Sequence, residues 1–179
     1  MSESYKNHFL TFEIMRKIIF DLDLTLVDTS LGEEARKKRN WSEVYSLIPQ
    51  FSLYEGIDRI FQLIREHNIQ AVIVSTAPKP YVERIVKFFN IPVIGIIGYH
   101  DVKHIKPNPE SMLKALEMLG CDNSQAISFG DRVIDIEASN AANIESVACV
   151  WGTKEKSNLI KSNYRHLIIH PKEILTLIR

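Results

Sequence analysis

Short apolar runs alternate along the chain with longer stretches whose apolar positions recur at helical spacing. Apolar runs of strand length cover residues 17–21, 70–75, 93–97, 126–129, 146–150 and 167–169. The intervening stretches 57–67, 79–89, 109–119, 134–142 and 172–178 have the spacing or the end residues of helices. Strands that are apolar throughout and separated by helices indicate a parallel sheet covered on both faces. With right-handed crossovers, this pattern predicts an α/β fold, a doubly wound three-layer sandwich around a mostly parallel central sheet.

Residues 29–54 do not fit this alternation, and we call them the insert. The insert holds a charged run, Glu33 to Arg39, followed by apolar residues at helical spacing up to Pro49. It cannot fold independently, because even a domain of about 60 residues is marginally stable. We therefore expect one helix with its connections, packed as a minimal helical cap on a single domain that spans 15–179. Residues 1–14 precede the first strand and are predicted to be an N-terminal extension.

Composition excludes several classes of function. The 22 Lys and Arg balance the 22 Asp and Glu, so no overall field favours a nucleic-acid partner. No run of about 18 apolar residues exists, which argues against a membrane protein. The N-terminus lacks the apolar segment of a signal peptide, and Cys121 and Cys149 lack the spacing of a disulfide framework or metal site. These features predict a cytoplasmic protein with reduced thiols, and they leave its oligomeric state open.

Polar residues follow four of the predicted strands, where ligands bind in an open α/β sheet. They are Asp21 and Asp23 after the first strand, Ser75 and Thr76 after the second, Lys106 in the loop after the third, and Asp131, Arg132 and Asp135 after the fourth. Like charges about 4 Å apart repel by about 4 kcal/mol at an effective dielectric constant of about 20, so clustered acids need a cation or a shared proton. Hard oxygen ligands suit Mg²⁺, whereas a lysine and a hydroxyl suit an anion. Together these residues indicate a phosphoryl-transfer site.

Four segments resemble the signatures of the haloacid dehalogenase superfamily. FDLDLTLVDT is similar to the pattern hhhDxDxT, VIVS ends in the expected hydroxyl, KPNPE supplies the expected lysine, and FGDRVID supplies the expected acidic pair. The segments occur in the order of the family, and the resemblance runs from about Lys17 to Gly152. The chain therefore resembles hydrolases of this superfamily, in particular the phosphoglycolate-phosphatase-like members, with a very short cap.

The resemblance implies a Mg²⁺-dependent phosphatase that hydrolyses a small-molecule phosphate ester. It implies that Asp21 attacks phosphorus to form an aspartyl-phosphate and that Asp23 serves as general acid and base. It also implies that Ser75 and Lys106 bind phosphate oxygens, with Thr76 as an alternative ligand. The implied metal ligands are Asp21, the backbone carbonyl of Asp23, Asp131 and, directly or through water, Asp135. Thr25 is expected to fix the loop after the first strand.

The sequence departs from the family pattern at several positions. Thr76 stands where relatives often carry Asn, and Asn143 stands where Gly is common but can adopt a left-handed conformation. Arg132 replaces a small or hydroxylated residue and could reach a second anionic group or pair with surface acids. The basic run Arg36–Arg39 could be a solvated helical face or could attract an anionic partner. The short insert predicts an open site and does not identify the substrate.

Other functions fit the sequence less well than a phosphatase. A phosphomutase would use the same nucleophile, but it needs a cap that excludes water, which the short insert disfavours. Dehalogenases of the superfamily lack the second aspartate, so Asp23 counts against that chemistry. A phospho-accepting receiver domain places its acidic residues in a different order, and a catalytically silent binding relative would be expected to lack a signature residue.

Overall fold

A computed structural model describes residues 15–178, and its central feature is a six-stranded sheet. The strands are β1 Lys17–Phe20, β4 Ala71–Val74, β5 Gly95–Ile97, β6 Ala126–Gly130, β7 Glu145–Cys149 and β8 His166–Ile168. Their order across the sheet is β5-β4-β1-β6-β7-β8, and every neighbouring pair is parallel. The predicted doubly wound α/β fold is confirmed.

Helices cover both faces of this sheet. They are α3 Ile57–Glu66, α4 Lys79–Phe88, α5 Glu110–Leu119, α6 Val133–Ala141, α7 Lys156–Leu159 and α8 Ile174–Leu177. Side chains of β1 alternate between the two layers: Ile18 and Phe20 pack with residues of α3, α4 and α8, whereas Ile19 packs with residues of α5 and α6. The predicted helices therefore have the positions that the apolar spacing indicated, and α7 is an additional short helix.

The chain reverses its direction across the sheet between β1 and β6. It runs outward from β1 to β4 and β5, and then returns to the other side of β1 before continuing from β6 to β8. Phe20 is paired with Phe129, and the next residue, Asp21, donates its N–H to the carbonyl of Phe129 at 2.9 Å. A reversal point of this kind leaves a crevice at the carboxyl ends of the strands. Asp21 and Asp131 stand on either side of it.

The insert contains two short helices, so the prediction of one helix is wrong. Strands β2 Val27–Asp28 and β3 Ser52–Leu53 form an antiparallel pair at its base, and between them lie α1 Glu33–Lys37 and α2 Trp41–Leu47. Three residues, 38–40, separate the two helices.

The break between α1 and α2 has a local cause. Arg39 has a φ of 55°, and the side chain of Asn40 accepts the N–H of Glu43 to begin α2. No glycine marks this left-handed position, which is why the sequence pattern did not reveal it. Asn143, by contrast, has the expected left-handed conformation with a φ of 54°.

The sequence also predicts an N-terminal extension and no membrane-spanning segment. The predicted N-terminal extension, residues 1–14, lies outside the described residues. Among the helices of residues 15–178, none combines the length and the apolar character that crossing a bilayer requires.

Candidate active site

Three buried carboxylates meet at the ends of β1 and β6, and we call Asp21, Asp131 and Asp135 the carboxylate cluster. One ligand oxygen from each lies within 4.8 Å of the others. Asp135 occupies the first turn of α6, where its Oδ2 accepts the backbone N–H of Arg132 at 2.9 Å. Its Oδ1 is buried and has no hydrogen-bond partner among the described residues. Asp135 therefore caps the helix with one oxygen and presents the other to the cluster.

Lys106 lies among these carboxylates. Its Nζ donates to Asp21 Oδ1 at 2.8 Å and to the carbonyl of Val74 at 2.9 Å. Nζ is also 2.6 Å from Asp135 Oδ1, but this contact is an ion pair that lacks hydrogen-bond angles. The side chain of Lys106 is only 1% exposed. A single buried lysine therefore accompanies three carboxylates.

The pKa values of Asp21 and Asp131 are raised mainly because these carboxyls are buried. Burial, opposed by the charge of Lys106, raises the pKa of Asp21 to about 6. Burial and the charges of Asp21 and Asp135 raise the pKa of Asp131 to about 8. A further cation in the cluster would favour the ionised carboxylates. The all-oxygen donor set of the three buried carboxylates fits a divalent metal ion.

Asp23 lies outside the carboxylate cluster and has partners of its own. Its Oδ1 accepts hydrogen bonds from the hydroxyls of Thr29 and Tyr81, both at 2.6 Å. The same oxygen pairs with Arg36 Nη1 at 3.0 Å. We call Asp23, Thr29, Arg36 and Tyr81 the Asp23 network. The metal-ligand group contains no side-chain oxygen of Asp23, so only its backbone carbonyl remains a candidate ligand.

Arg36 enters the site from α1 of the insert. Its Nη1 also donates to the hydroxyl of Tyr81 at 2.8 Å and to the carbonyl of Thr29 at 3.1 Å. Its side chain is 16% exposed, whereas that of Lys37 is 62% exposed and pairs with Glu33 and Glu34. The basic run Arg36–Arg39 is therefore not entirely a solvated face, because Arg36 turns into the site whereas Lys37 faces solvent. Nothing in the sequence distinguishes Arg36 within the run.

Ser75, Thr76 and Arg132 occupy the β4 side of the crevice. Ser75 Oγ accepts the N–H of Ala77 at 3.1 Å, so this hydroxyl shapes the turn after β4. Thr76 Oγ1 accepts Arg132 Nη2 at 3.1 Å, and Arg132 Nε is 3.9 Å from Asp135 Oδ2. Arg132 therefore turns into the site. The alternative prediction, that Arg132 pairs only with surface acids, is wrong.

Hydrogen bonds of Thr25 hold the loop that follows β1 in place. Thr25 is buried, its hydroxyl donates to Asp131 Oδ1 at 3.2 Å, and its carbonyl accepts the indole N–H of Trp151 at 3.0 Å. The expected structural role of Thr25 is thus confirmed. Gly152 allows the close approach, since a Cβ there would lie 2.2 Å from the carbonyl oxygen of Leu24. Leu24 itself has a φ of 64°, a strained conformation for a bulky residue.

All these elements surround one cavity of about 670 Å³. Its walls include Asp21, Asp23, Ser75, Thr76, Asp131 and Arg132 from the main body, and Glu33, Arg36, Lys37, Arg39 and Trp41 from the insert. Five of the seven residues predicted to form the site line the cavity, whereas Lys106 and Asp135 lie beneath it and contact Asp21 or each other. The structure therefore brings together all of the predicted residues, and it adds Arg36, Tyr81 and Thr29.

Comparison with known proteins agrees with this arrangement. A family model described as haloacid dehalogenase-like hydrolase matches residues 33–149, a range that begins after Asp21 and Asp23. Pyrophosphatase PpaX of Oceanobacillus iheyensis is 29% identical over 92% of this chain and 97% of its own length. Pyrophosphatase PpaX of Bacillus velezensis is 32% identical, but the alignment covers 59% of this chain and 50% of that protein. The chain thus spans about half the length of that relative.

Solved structures share the fold at lower sequence identity. A predicted phosphoglycolate phosphatase from Haemophilus somnus superposes with a TM-score of 0.81 at 17% identity, covering 94% of this chain and 100% of that one. A candidate beta-phosphoglucomutase from Thermotoga maritima has a TM-score of 0.79 at 20% identity, covering 91% and 98%.

The fold and the family match define the class of protein as a hydrolase. The chain belongs to the haloacid dehalogenase-like hydrolase family.

Proposed function

We propose that the protein is a Mg²⁺-dependent phosphatase that hydrolyses small phosphate esters through an aspartyl-phosphate on Asp21. The observation that carries this proposal is the buried carboxylate cluster with Lys106 2.8 Å from Asp21. A carboxylate beside a lysine and a metal-ligand group has the surroundings that a nucleophile toward an anionic phosphoryl group requires. Inorganic pyrophosphate is included among the candidate substrates, because two relatives are named pyrophosphatases.

In the first chemical step, a carboxylate oxygen of Asp21 forms a bond to phosphorus. The bond from phosphorus to the leaving oxygen breaks, and the leaving oxygen keeps the electron pair and takes a proton from Asp23. In the second step, the oxygen of water forms a bond to phosphorus and gives a proton to the Asp23 carboxylate. The bond from phosphorus to the Asp21 oxygen breaks, and its electron pair returns to the Asp21 carboxylate, so phosphate and Asp21 are both freed. The hydroxyls of Thr29 and Tyr81, each 2.6 Å from Asp23 Oδ1, would orient this acid and base.

Binding of the transferred phosphoryl group would fall to the side chains around Asp21. Ser75 and Thr76 line the cavity and supply two hydroxyls, and Lys106 supplies an ammonium beneath it, 2.8 Å from Asp21 Oδ1. Because Thr76 Oγ1 accepts a hydrogen bond from Arg132, its hydroxyl hydrogen is available to a phosphate oxygen.

Asp21, Asp131, Asp135 and the backbone carbonyl of Asp23 would hold the metal ion. When bound, Mg²⁺ would supply positive charge that aligns the nucleophile and offsets charge on the phosphoryl group. The preference for Mg²⁺ rests on the all-oxygen donor set and the small number of protein ligands.

The insert would serve as a minimal cap over this single domain. Trp41 of α2 packs against Tyr81 with ring centroids 5.7 Å apart, and Glu33 of α1 forms an ion pair with Lys154 on the opposite wall of the cavity. These two contacts hold the insert across the crevice from both sides.

A phosphomutase is the second candidate, because a neighbour in fold is a candidate beta-phosphoglucomutase. A mutase must keep water from its phosphoenzyme, and two short helices cover the site less completely than that task requires. The intact set of acids also disfavours a catalytically silent relative.

Phosphate release from phenyl phosphate tests the proposal, with Mg²⁺ and with excess chelator. We expect turnover that needs the metal and is lost in Asp21→Asn. Full activity of Asp21→Asn, or a long-lived phosphoenzyme that releases little phosphate, would overturn hydrolysis by this mechanism.

A further inference from the structure

The guanidinium of Arg36 has unused hydrogen-bonding capacity. All of its hydrogen bonds and its ion pair with Asp23 are made by Nη1. Within residues 15–178, Nη2 and Nε have no protein acceptor. Three of the five N–H donors of this group are thus free, and they belong to a side chain that is only 16% exposed and lines the cavity. A largely buried cation with a free planar edge is suited to bind an anion.

The position of Arg36 relative to Asp23 indicates which part of a substrate it would meet. Under the proposed function, the leaving oxygen must come within hydrogen-bonding distance of Asp23. Arg36 Nη1 is 3.0 Å from Asp23 Oδ1, whereas Lys106 and the carboxylate cluster surround Asp21. The transferred phosphoryl group and the leaving group therefore face different cations.

We propose that Arg36 forms a subsite for a second anionic group carried by the leaving group. The substrate class is then a phosphate ester or anhydride whose leaving group bears a phosphate or carboxylate. Two oxygens of such a group can accept parallel hydrogen bonds from the N–H groups of Nη2 and Nε. A neutral leaving group does not offer this pair of anionic acceptors. This inference rests on the proposed function and specifies its substrate.

The other basic side chains of the insert and of the wall opposite it do not combine burial with a free planar edge. Arg39 lines the cavity, but its side chain is exposed. Lys37 is paired with Glu33 and Glu34, and Lys154 is paired with Glu33. Lys38 is exposed and does not line the cavity. Lys38 therefore provides a matched control: it is a basic residue two positions from Arg36, on the solvent side.

The experiment compares kcat/KM for three substrates: inorganic pyrophosphate, 2-phosphoglycolate and phenyl phosphate, all with Mg²⁺. The first two carry an anionic leaving group, and the third does not. We expect the wild-type enzyme to prefer at least one anionic leaving group. In Arg36→Gln, kcat/KM for that substrate should fall about 30-fold more than for phenyl phosphate, mainly through KM. Lys38→Gln should leave all three values within about threefold.

Tyr81→Phe separates the subsite from the support of Asp23. This variant removes one donor to Asp23 and one acceptor of Arg36 Nη1, but Arg36 keeps its ion pair with Asp23 and its free Nη2 and Nε edge, so kcat should fall by a similar factor for every substrate. A selective loss with pyrophosphate identifies the second group as phosphate, and a selective loss with 2-phosphoglycolate identifies it as carboxylate. Thermal unfolding checks each variant, and Arg36→Lys, which keeps the charge without the planar edge, replaces Arg36→Gln if that variant is unfolded.

The two proposals fail in distinguishable ways. If the wild-type enzyme hydrolyses none of the three substrates, the proposed function is wrong. If it hydrolyses phenyl phosphate, but the ratio between substrates is the same in wild type and in the folded Arg36 variant, the subsite is wrong and the phosphatase remains. A wild-type preference for phenyl phosphate would also contradict the subsite.

Discussion

The carboxylate cluster and the Asp23 network are two halves of one site, and they are built differently. The cluster comes from the ends of β1 and β6 and from the first turn of α6, and its side chains are almost completely buried. The Asp23 network draws Arg36 from the insert and Tyr81 from α4, and the side chain of Asp23 is 22% exposed. The first half has an excess of negative charge, whereas in the second half an arginine balances the acid. Under the proposed function, this difference would separate metal binding and nucleophilic attack from the handling of the leaving group.

Lys106→Met should have the largest effect, a loss of stability at the carboxylate cluster. Removing the buried ammonium leaves Asp21 and Asp135 without their partner, a change that costs about 3–5 kcal/mol in the free energy of unfolding. Urea unfolding without metal measures this loss, and Mg²⁺ should restore part of it. Lys103→Met removes an exposed lysine of the same loop and serves as the control. An equal effect of the two variants would contradict the account.

The stability of the metal-free protein should fall as the pH rises from about 4 to 8. The raised pKa values of about 6 for Asp21 and about 8 for Asp131 mean that the folded state binds more protons than the unfolded state in this window. Each such proton contributes a slope of up to about 1.4 kcal/mol per pH unit. The stability that these two carboxyls contribute is therefore fully present below their unfolded pKa values and is lost as they ionise.

Urea unfolding at several pH values measures this slope, and Asp131→Asn is the variant that tests its origin. The slope should become shallower in Asp131→Asn, most clearly between pH 6 and 8. Saturating Mg²⁺ should reduce it in the wild type, because a bound cation favours the ionised carboxylates. A slope that is the same in the variant would mean that Asp131 is not the group responsible.

Thr29→Val tests the second half of the site with a smaller expected effect. The variant keeps the shape of a fully buried residue but removes a donor to Asp23. We expect a loss of about 1–2 kcal/mol in stability and a fall in kcat, with Mg²⁺ affinity unchanged. Titration of Mg²⁺ by calorimetry measures this affinity. A changed affinity would show that metal binding by the carboxylate cluster depends on the Asp23 network, which would contradict the separation of the two halves.

Glu33→Gln should have the smallest effect. The ion pairs of Glu33 with Lys37 and Lys154 involve lysine side chains that are about 60% exposed, so solvent screens them. Pairs of this kind contribute about 0–1 kcal/mol. A stability change above that range would show that the ion pair between the insert and the opposite wall contributes more to stability than its solvent exposure indicates.

The cluster half could be predicted from the sequence, because each of its residues follows an apolar strand or opens a helix. Parallel strands bring their carboxyl ends to one edge, so Asp21 and Asp131 needed no tertiary information to be placed together. Arg36 and Tyr81 gave no such signal. Tyr81 occupies an apolar position of α4, and Arg36 is one of several basic residues in a run.

The structure of the insert was the other feature that the sequence pattern did not reveal. The turn at Arg39 separates α1 from α2 without a glycine or proline at the break. The pairing of β2 with β3 involves only two residues on each side, too few to produce an alternating pattern. Only the folded chain shows that α1 brings Arg36 to Asp23.

The central claim is that Asp21 becomes phosphorylated during turnover with Mg²⁺. An acid quench during steady-state hydrolysis, followed by peptide mass spectrometry, tests it directly. The account predicts one phosphoryl group on the peptide that contains Asp21, absent with chelator and absent in Asp21→Asn. A phosphoryl group on another residue, or turnover by Asp21→Asn at the wild-type rate, would contradict it.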